Sequence, residues 1–325
     1  MVSLIATDRV TKIFEVGGMF TAKKYIKAVD NVSLELGENE ILCLVGESGC
    51  GKSTLGRLML DLIRPSSGRV LYEGKNICSL KGKEYKEFRR NAQLIPQDPY
   101  TTLNPMKKVV SSLIPPLLHY KIARNRREAR KMAAELLTMV GLSPPEDILE
   151  RFPCRLSGGQ LQRIAIARAI SVQPKFIVAD EAVSMIDASL RVGILNLMLD
   201  IQRKFKTTFL FITHDLAIAR YFARDRKIAV MYLGNIVEIG RTEEVIQNPL
   251  HPYTKVLVEA VPIPDPKLAR ERPLPKLKSL EIPSLVNPPP GCKFHTRCPL
   301  AEKICKEKDP ELRLVKGRLV ACHLY

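Results

Sequence analysis

The sequence predicts an α/β fold built on a largely parallel sheet, and three observations carry that prediction. From about residue 28 to residue 260, short apolar runs bounded by turns alternate with longer amphipathic segments. Three of the runs, 41–45, 176–179 and 208–212, are apolar without alternation, as strands covered on both faces must be. A glycine-rich turn follows the first run. An Asp-Glu pair ends the second, at the strand edge where open α/β sheets hold their ligands.

Taken in order, Ile41-Leu-Cys-Leu-Val45 reads as a strand, and the segment 52–62 that follows the glycine turn reads as a helix. Residues 124–140 space their apolar positions as an amphipathic helix does, and Gly141 supplies a stop. A helix at 158–170 precedes the strand 176–179, a helix at 188–203 precedes the strand 208–212, and a helix at 215–224 precedes a strand at 228–231. Composition changes after Val261. The proline-rich stretch 261–290 reads as a semi-rigid linker, because proline removes backbone donors and favours extended chain. Residues 291–325 form a short cysteine-bearing module, and no repeat of 20 to 50 residues is visible. The expected division is therefore 1–260, 261–290 and 291–325.

At 325 residues and 46% hydrophobic content the chain can bury a real core, which excludes a disordered chain, a collagen and a small disulfide scaffold. Lys and Arg outnumber Asp and Glu by 51 to 34, a net charge of +17 that suits nucleic acid, an anionic membrane or a polyphosphate ligand alike. No run approaches the ~18 to 20 apolar residues that span a bilayer, and the start of the chain lacks a signal-peptide core, so a cytosolic setting is expected. There, the eight cysteines are expected to be thiols, fillers or metal ligands in preference to disulfides.

The strongest local signal is Gly46-Glu47-Ser48-Gly49-Cys50-Gly51-Lys52-Ser53-Thr54, a G-x-x-x-x-G-K-[ST] phosphate loop between strand and helix. Its glycines let backbone N–H groups converge on phosphate oxygens; Lys52 can reach the β- and γ-phosphates, and Ser53 can give its hydroxyl to Mg²⁺. Asp180 would act on Mg²⁺ and Glu181 would polarise the attacking water; the competing reading of this pair is an acidic turn capping the next helix. His214 and Gln97 are further γ-phosphate and Mg²⁺ candidates, each more often structural when met alone. Ser157, Gly158 and Gly159 at a helix start form a second anion site.

In combination these residues resemble the ATP-binding cassette (ABC) family over roughly residues 1–260. Leu156-Ser157-Gly158-Gly159-Gln160 resembles its signature, Gln97 its Q-loop glutamine, Ser184-Met-Ile-Asp187 its D-loop and His214 its switch histidine. The resemblance implies a P-loop NTPase cassette with a helical signature subdomain at about 97–170 and an N-terminal antiparallel β subdomain. It also implies ATP and Mg²⁺ as cofactors, and two cassettes in a sandwich, the signature of one closing on ATP held by the other. An aromatic is expected on adenine, Phe14 or alternatively Tyr25. The segments 94–105, 230–240 and 248–255 are similar to the ATPases of oligopeptide/dipeptide importers, with the second of their two paired ATPases the better match. That implies two membrane permeases, an extracytoplasmic substrate-binding protein and a place on the cytoplasmic face of the membrane. Ala182 stands where the family commonly has proline, and Met185-Ile186 where it has Ala-Leu; neither change removes a charged or phosphate-binding group.

The spacing Cys292-x5-Cys298-x6-Cys305-x16-Cys322 lacks the C-x2-C pair of most zinc ribbons, though His295 and His323 could serve zinc. Four thiolates suit an iron–sulfur cluster, and the importer ATPases that the chain resembles carry such a C-terminal motif, with a segment like Phe294–Pro299. A [4Fe–4S] cluster is expected, with zinc or unliganded cysteines as alternatives. The leading function is thus ATP-driven import of oligopeptides, dipeptides or similar oligomers such as oligosaccharides. The alternative is a soluble ATPase acting on nucleic acid, against which stands the scatter of the basic runs along the chain.

Overall fold

A computed structural model describes residues 3–17, 23–262, 265, 267 and 276–325. In chain order its elements are β1 (Ile5–Val16), β2 (Lys24–Leu36), β3 (Ile41–Val45), α1 (Lys52–Met59), β4 (Ser67–Tyr72), β5 (Lys75–Asn76), α2 (Gly82–Asn91) and β6 (Ala92–Ile95). Then come α3 (Pro99–Thr102), α4 (Val110–His119), α5 (Arg126–Met139), α6 (Pro145–Glu150), α7 (Gly158–Ile170), β7 (Phe176–Asp180), α8 (Ala188–Phe205), β8 (Thr208–Thr213) and α9 (Leu216–Phe222). The chain ends with β9 (Lys227–Tyr232), β10 (Asn235–Arg241), α10 (Thr242–Gln247), α11 (Pro252–Glu259), α12 (Ile304–Glu307), β11 (Arg313–Val315) and β12 (Arg318–Val320). All four expected strands and all five expected helices are present, most with ends displaced by one to three residues.

The chain divides into two compact units. One comprises Gly37–Glu40 and Ser79–Phe211; the other comprises the residues up to Leu36, Ile41–Cys78 and Ile212 onward. In the first, β6, β7 and most of β8 lie side by side in that order, β6 and β7 parallel. Every residue of β7 is buried, which is why it reads as an unbroken apolar run. The stretch 97–170, expected as a helical subdomain, holds α3 to α7. There α7 buries Leu161, Ile164, Ala165, Ile170 and their neighbours, and α5 presents Ala129, Ala133 and Leu137 as a buried stripe at helical spacing. Pro115 and Pro116 lie inside α4, where each removes a backbone donor; the helix still buries Val110, Leu113, Ile114 and Leu117, each worth roughly 1.5–3 kcal/mol.

The second unit has an antiparallel sheet in the order β2, β1, β4, β5, which is the N-terminal β subdomain that the resemblance implied. It also has a run of strands in the order β11, β12, β10, β9, β3, with β3 and β9 parallel and the rest antiparallel. The C-terminal cysteine segment belongs to this unit, tied on by β12 against β10 and by the Ala321 N–H donating to the Val237 carbonyl at 2.9 Å. Of the expected linker 261–290, residues 263, 264, 266 and 268–275 lie outside the described residues. No helix among the described residues is long and apolar enough to cross a membrane.

Candidate active site

The phosphate loop joins the end of β3 to the start of α1. Gly46 passes so close to β9 that a Cβ there would lie 2.1 Å from the Met231 carbonyl oxygen. Gly49 and Gly51 have φ of +78° and +108°, and a Cβ on Gly51 would lie 2.1 Å from the Ala28 carbonyl oxygen. The two glycines that flank the loop are therefore required by the backbone's close approaches, and Gly49 and Gly51 by its handedness. No side chain caps α1. Lys52, 4% exposed, donates its amine to the carbonyls of Gly46 and Glu47, both at 2.9 Å. Phosphate oxygens are stronger acceptors than these carbonyls, so a polyphosphate in the loop would capture the amine. The side chain of Cys50 is buried and its thiol pKa is raised by that burial, which leaves its backbone N–H as the group that can serve a phosphate. Ser48 is exposed, and Ser53 and Thr54 are partly so.

In the same unit His214 is exposed immediately beyond β8, and Asp215 caps α9 by accepting from the N–H groups of Ala217 and Ile218. Phe14 and Tyr25 both lie exposed on the β1–β2 hairpin. The register pairs Phe14 with Ile26 and Glu15 with Tyr25. Paired residues share a face and successive residues alternate, so Phe14 and Tyr25 occupy opposite faces and only one can stack on a given ligand.

In the first unit Asp180 ends β7, 6% exposed, and Glu181 follows with φ +46°, a left-handed conformation uncommon for a non-glycine residue. That turn swings the Glu181 side chain out of the strand direction. Its Oε2 accepts a hydrogen bond at 3.0 Å from Nε2 of the exposed Gln97. The Ser184 hydroxyl donates to the Glu181 carbonyl at 2.9 Å and holds the turn. The structure thus brings together the predicted Q-loop glutamine and the predicted general base. Asp187 is exposed at the start of α8. Ser157 caps α7 in a capping box: its Oγ accepts from the Gln160 N–H at 3.4 Å, and Gln160 Oε1 accepts from the Ser157 N–H at 3.1 Å. Gln160, expected to contact nucleotide, is accounted for locally by this cap. A Cβ on Gly158 would meet only the Tyr100 hydroxyl, at 3.5 Å, and the Met185 carbonyl, at 3.9 Å.

The four C-terminal cysteines lie near enough to influence one another's thiols. The Cys292 N–H donates to the Cys305 carbonyl at 2.9 Å. Burial pushes the Cys292 thiol up to about 12, with the other three thiols adding to the effect, and the Cys298 and Cys322 thiols are raised chiefly by burial and further by their neighbours. Among the described residues no group of three or more His, Cys, Asp or Glu is placed to hold a single metal ion. His295 and His323 each direct one ring nitrogen at a backbone carbonyl, of Cys292 at 2.9 Å and of Lys308 at 2.8 Å.

Sequence reasoning missed two residues. Tyr253 reaches from α11 to accept the Glu47 N–H at 2.9 Å, and Arg297 lies with its Nη1 3.1 Å from Glu47. Both contacts join positions more than 200 apart in sequence, which no local pattern encodes.

The family model described as ABC transporter matches residues 29–184, and that described as oligopeptide/dipeptide transporter, C-terminal region, matches residues 237–305. The oligopeptide transport ATP-binding protein AppF of Bacillus subtilis is 44% identical over 97% of this chain and 95% of its own. The di/tripeptide transport ATP-binding protein DppF of Pseudomonas aeruginosa is 41% identical over 99% and 98%. Among solved structures, the dimeric post-hydrolysis state of the ATP-binding cassette MJ0796 bound to ADP and Pi superposes with a TM-score of 0.64 at 29% identity, over 73% of this chain and 98% of that one. Both family models and both relatives are of transporters, and a nucleic-acid ATPase finds no support in them.

Proposed function

The chain belongs to the ABC transporter family, among the ATP-binding proteins of oligopeptide/dipeptide transporters, and from that premise we propose that it energises the import of oligopeptides or dipeptides. It is a transport ATPase. The observation that carries the reading is the preformed phosphate loop, whose buried Lys52 amine rests on two carbonyls that a triphosphate would replace.

Residue by residue, Gly46 to Thr54 cradle the phosphates, with Lys52 on the β- and γ-phosphates and Ser53 on Mg²⁺. Asp180 and Gln97 complete the Mg²⁺ and water contacts, Glu181 draws a proton from the attacking water, and His214 holds the γ-phosphate. The Gln97–Glu181 hydrogen bond supports a base whose carboxylate is held in one orientation before ATP arrives. Ser157, Gly158 and Gly159 complete the ATP site of a partner cassette; the dimeric MJ0796 structure supports a paired arrangement. Two permeases and an extracytoplasmic binding protein supply the path and the substrate selectivity, and place the chain at the cytoplasmic face of the membrane. Glu181→Gln should slow ATP hydrolysis by about 10²- to 10⁴-fold while leaving ATP-bound dimers that persist through gel filtration. Unchanged turnover would refute Glu181 as the base.

The four thiols Cys292, Cys298, Cys305 and Cys322 hold a [4Fe–4S] cluster in this reading, supported by their mutual electrostatic influence and by the family match, which covers the first three of them. Such a cluster supplies iron–thiolate bonds that stabilise a segment with little core of its own. Anaerobically purified protein should contain about four irons per chain; stoichiometric zinc without iron would overturn the assignment in favour of the alternative ion.

A further inference from the structure

The C-terminal cysteine segment touches the phosphate loop through one charged side chain. Arg297 is 5% exposed, yet it lies one residue before Cys298 in a segment that the ATPase chemistry does not use. Its Nη1 donates at 3.1 Å to both carboxylate oxygens of Glu47, the second residue of the loop. The guanidinium carbon lies 5.9 Å from the Tyr232 ring centroid and 5.8 Å from that of Phe294, and those rings meet edge-on at 5.3 Å. Two aromatic faces thus fix the plane of a buried cation. Ile282, Pro283 and Leu285 border the loop a second time, lining with Glu47 to Cys50 a cavity of about 200 Å³.

Glu47 is tied at three points. Its N–H donates to Tyr253, its carbonyl accepts from Lys52, and its carboxylate accepts from Arg297. The first two ties fix the backbone that shapes the loop. The third addresses an electrostatic problem, because a carboxylate on a loop that receives a triphosphate repels its ligand unless the charge is compensated.

We propose that Arg297 is a positioning residue for ATP: by clamping Glu47 it neutralises the loop's own carboxylate and holds the loop in its phosphate-binding shape. This makes the C-terminal segment a working part of the nucleotide site. The proposal rests on the reading of residues 46–54 as the ATP loop, and it does not depend on what the four thiols hold.

The test measures ATP affinity and steady-state turnover of the full chain, in complex with its permeases, for wild type, Lys52→Ala, Arg297→Met, Arg297→Lys, Glu47→Gln and the Glu47→Gln/Arg297→Met double variant. Arg297→Met should weaken ATP binding about tenfold, or ~1.4 kcal/mol, and raise KM in proportion while kcat moves less than about twofold. Arg297→Lys should recover part of the loss, and the double variant should recover most of it, since removing Glu47's charge removes the need for a counter-charge. Arg297→Met that binds ATP like wild type overturns the proposal, as does a double variant that is as weak as Arg297→Met. Should Arg297→Met fail to fold, the double variant is compared with Glu47→Gln: ATP affinities within about threefold support the clamp, and a larger gap overturns it. Wild type that binds no ATP, or Lys52→Ala that binds it equally well, sinks the reading of the loop itself.

Discussion

At Lys52 a helix begins on a left-handed glycine with no side-chain cap; at Gly158 another begins on Ser157, whose hydroxyl and Gln160 partner satisfy each other in a closed box. Both starts are glycine-bearing and both are assigned to phosphate, yet their chemistry differs. The loop before α1 is shaped by backbone collisions that only glycine avoids, so its form exists before the ligand does. The start of α7 uses ordinary helical geometry and a cap that includes one long bond, at 3.4 Å. That bond uses only the acceptor side of the Ser157 hydroxyl, whose proton stays available to a ligand. The contrast teaches that one helix start is shaped by backbone conformation and the other by a side-chain cap.

The sharpest way to break this comparison is to place the same methyl group at each start. Gly51→Ala meets the Ala28 carbonyl and a φ of +108°, and should cost about 3 kcal/mol or more, visible as a fallen melting temperature and lost ATP binding. Gly159→Ala meets only the end of the Leu190 side chain, at 3.2 Å, and should cost less than about 1 kcal/mol in the isolated chain while weakening ATP-driven dimerisation. Equal stability losses at both positions would end the distinction.

The adenine contact gives the next largest effect. Because Phe14 and Tyr25 lie on opposite faces of their hairpin, just one of Phe14→Ala and Tyr25→Ala should weaken ATP, by about 1–3 kcal/mol as for an aromatic on a base. Equal losses in both would contradict the register. A third helix start supplies a titratable cap. His251 Nδ1 accepts the Tyr253 N–H at 3.0 Å before α11, and burial pushes the imidazole down to about 3. The folded protein therefore resists protonation that the unfolded chain accepts near pH 6.5. Stability is unaffected above that pH and falls by up to about 1.4 kcal/mol per unit as pH drops from 6.5 toward 3. His251→Asn, which keeps an acceptor at the cap, should flatten that slope in thermal melts. A small effect is expected at the α7 cap itself: Ser157→Ala should cost about 1 kcal/mol of stability, so a loss of several would mean that the cap does far more than hold one N–H.

Much of the candidate site was legible. The loop 46–54, the Asp180-Glu181 strand end, Gln97, His214 and the 157–160 helix start all stood out because each is a short run whose chemistry depends on adjacent residues. The strands 41–45, 176–180 and 208–213 were legible for the same reason, being buried throughout. The long β1–β2 hairpin was expected only as part of an antiparallel β subdomain, its strands not placed by residue, because its burial fades from the Ile5–Leu36 end to the exposed Val16–Lys24 end, with bulges that break strict alternation. The capping role of Gln160 was hidden behind its place in the signature, although a serine followed three residues later by glutamine is a local capping signal.

What the sequence determined by itself is the chemistry: a phosphate loop, an acid pair and a signature are each written in consecutive residues, because backbone handedness and strand-to-helix turns are local properties. What only the tertiary structure decided is which distant groups act on that chemistry. Tyr253 and Arg297 converge on Glu47, and Gln97 is set against Glu181. Such contacts depend on how strands and helices stack, and stacking is fixed by the summed burial of many side chains, a quantity that no short stretch of sequence contains.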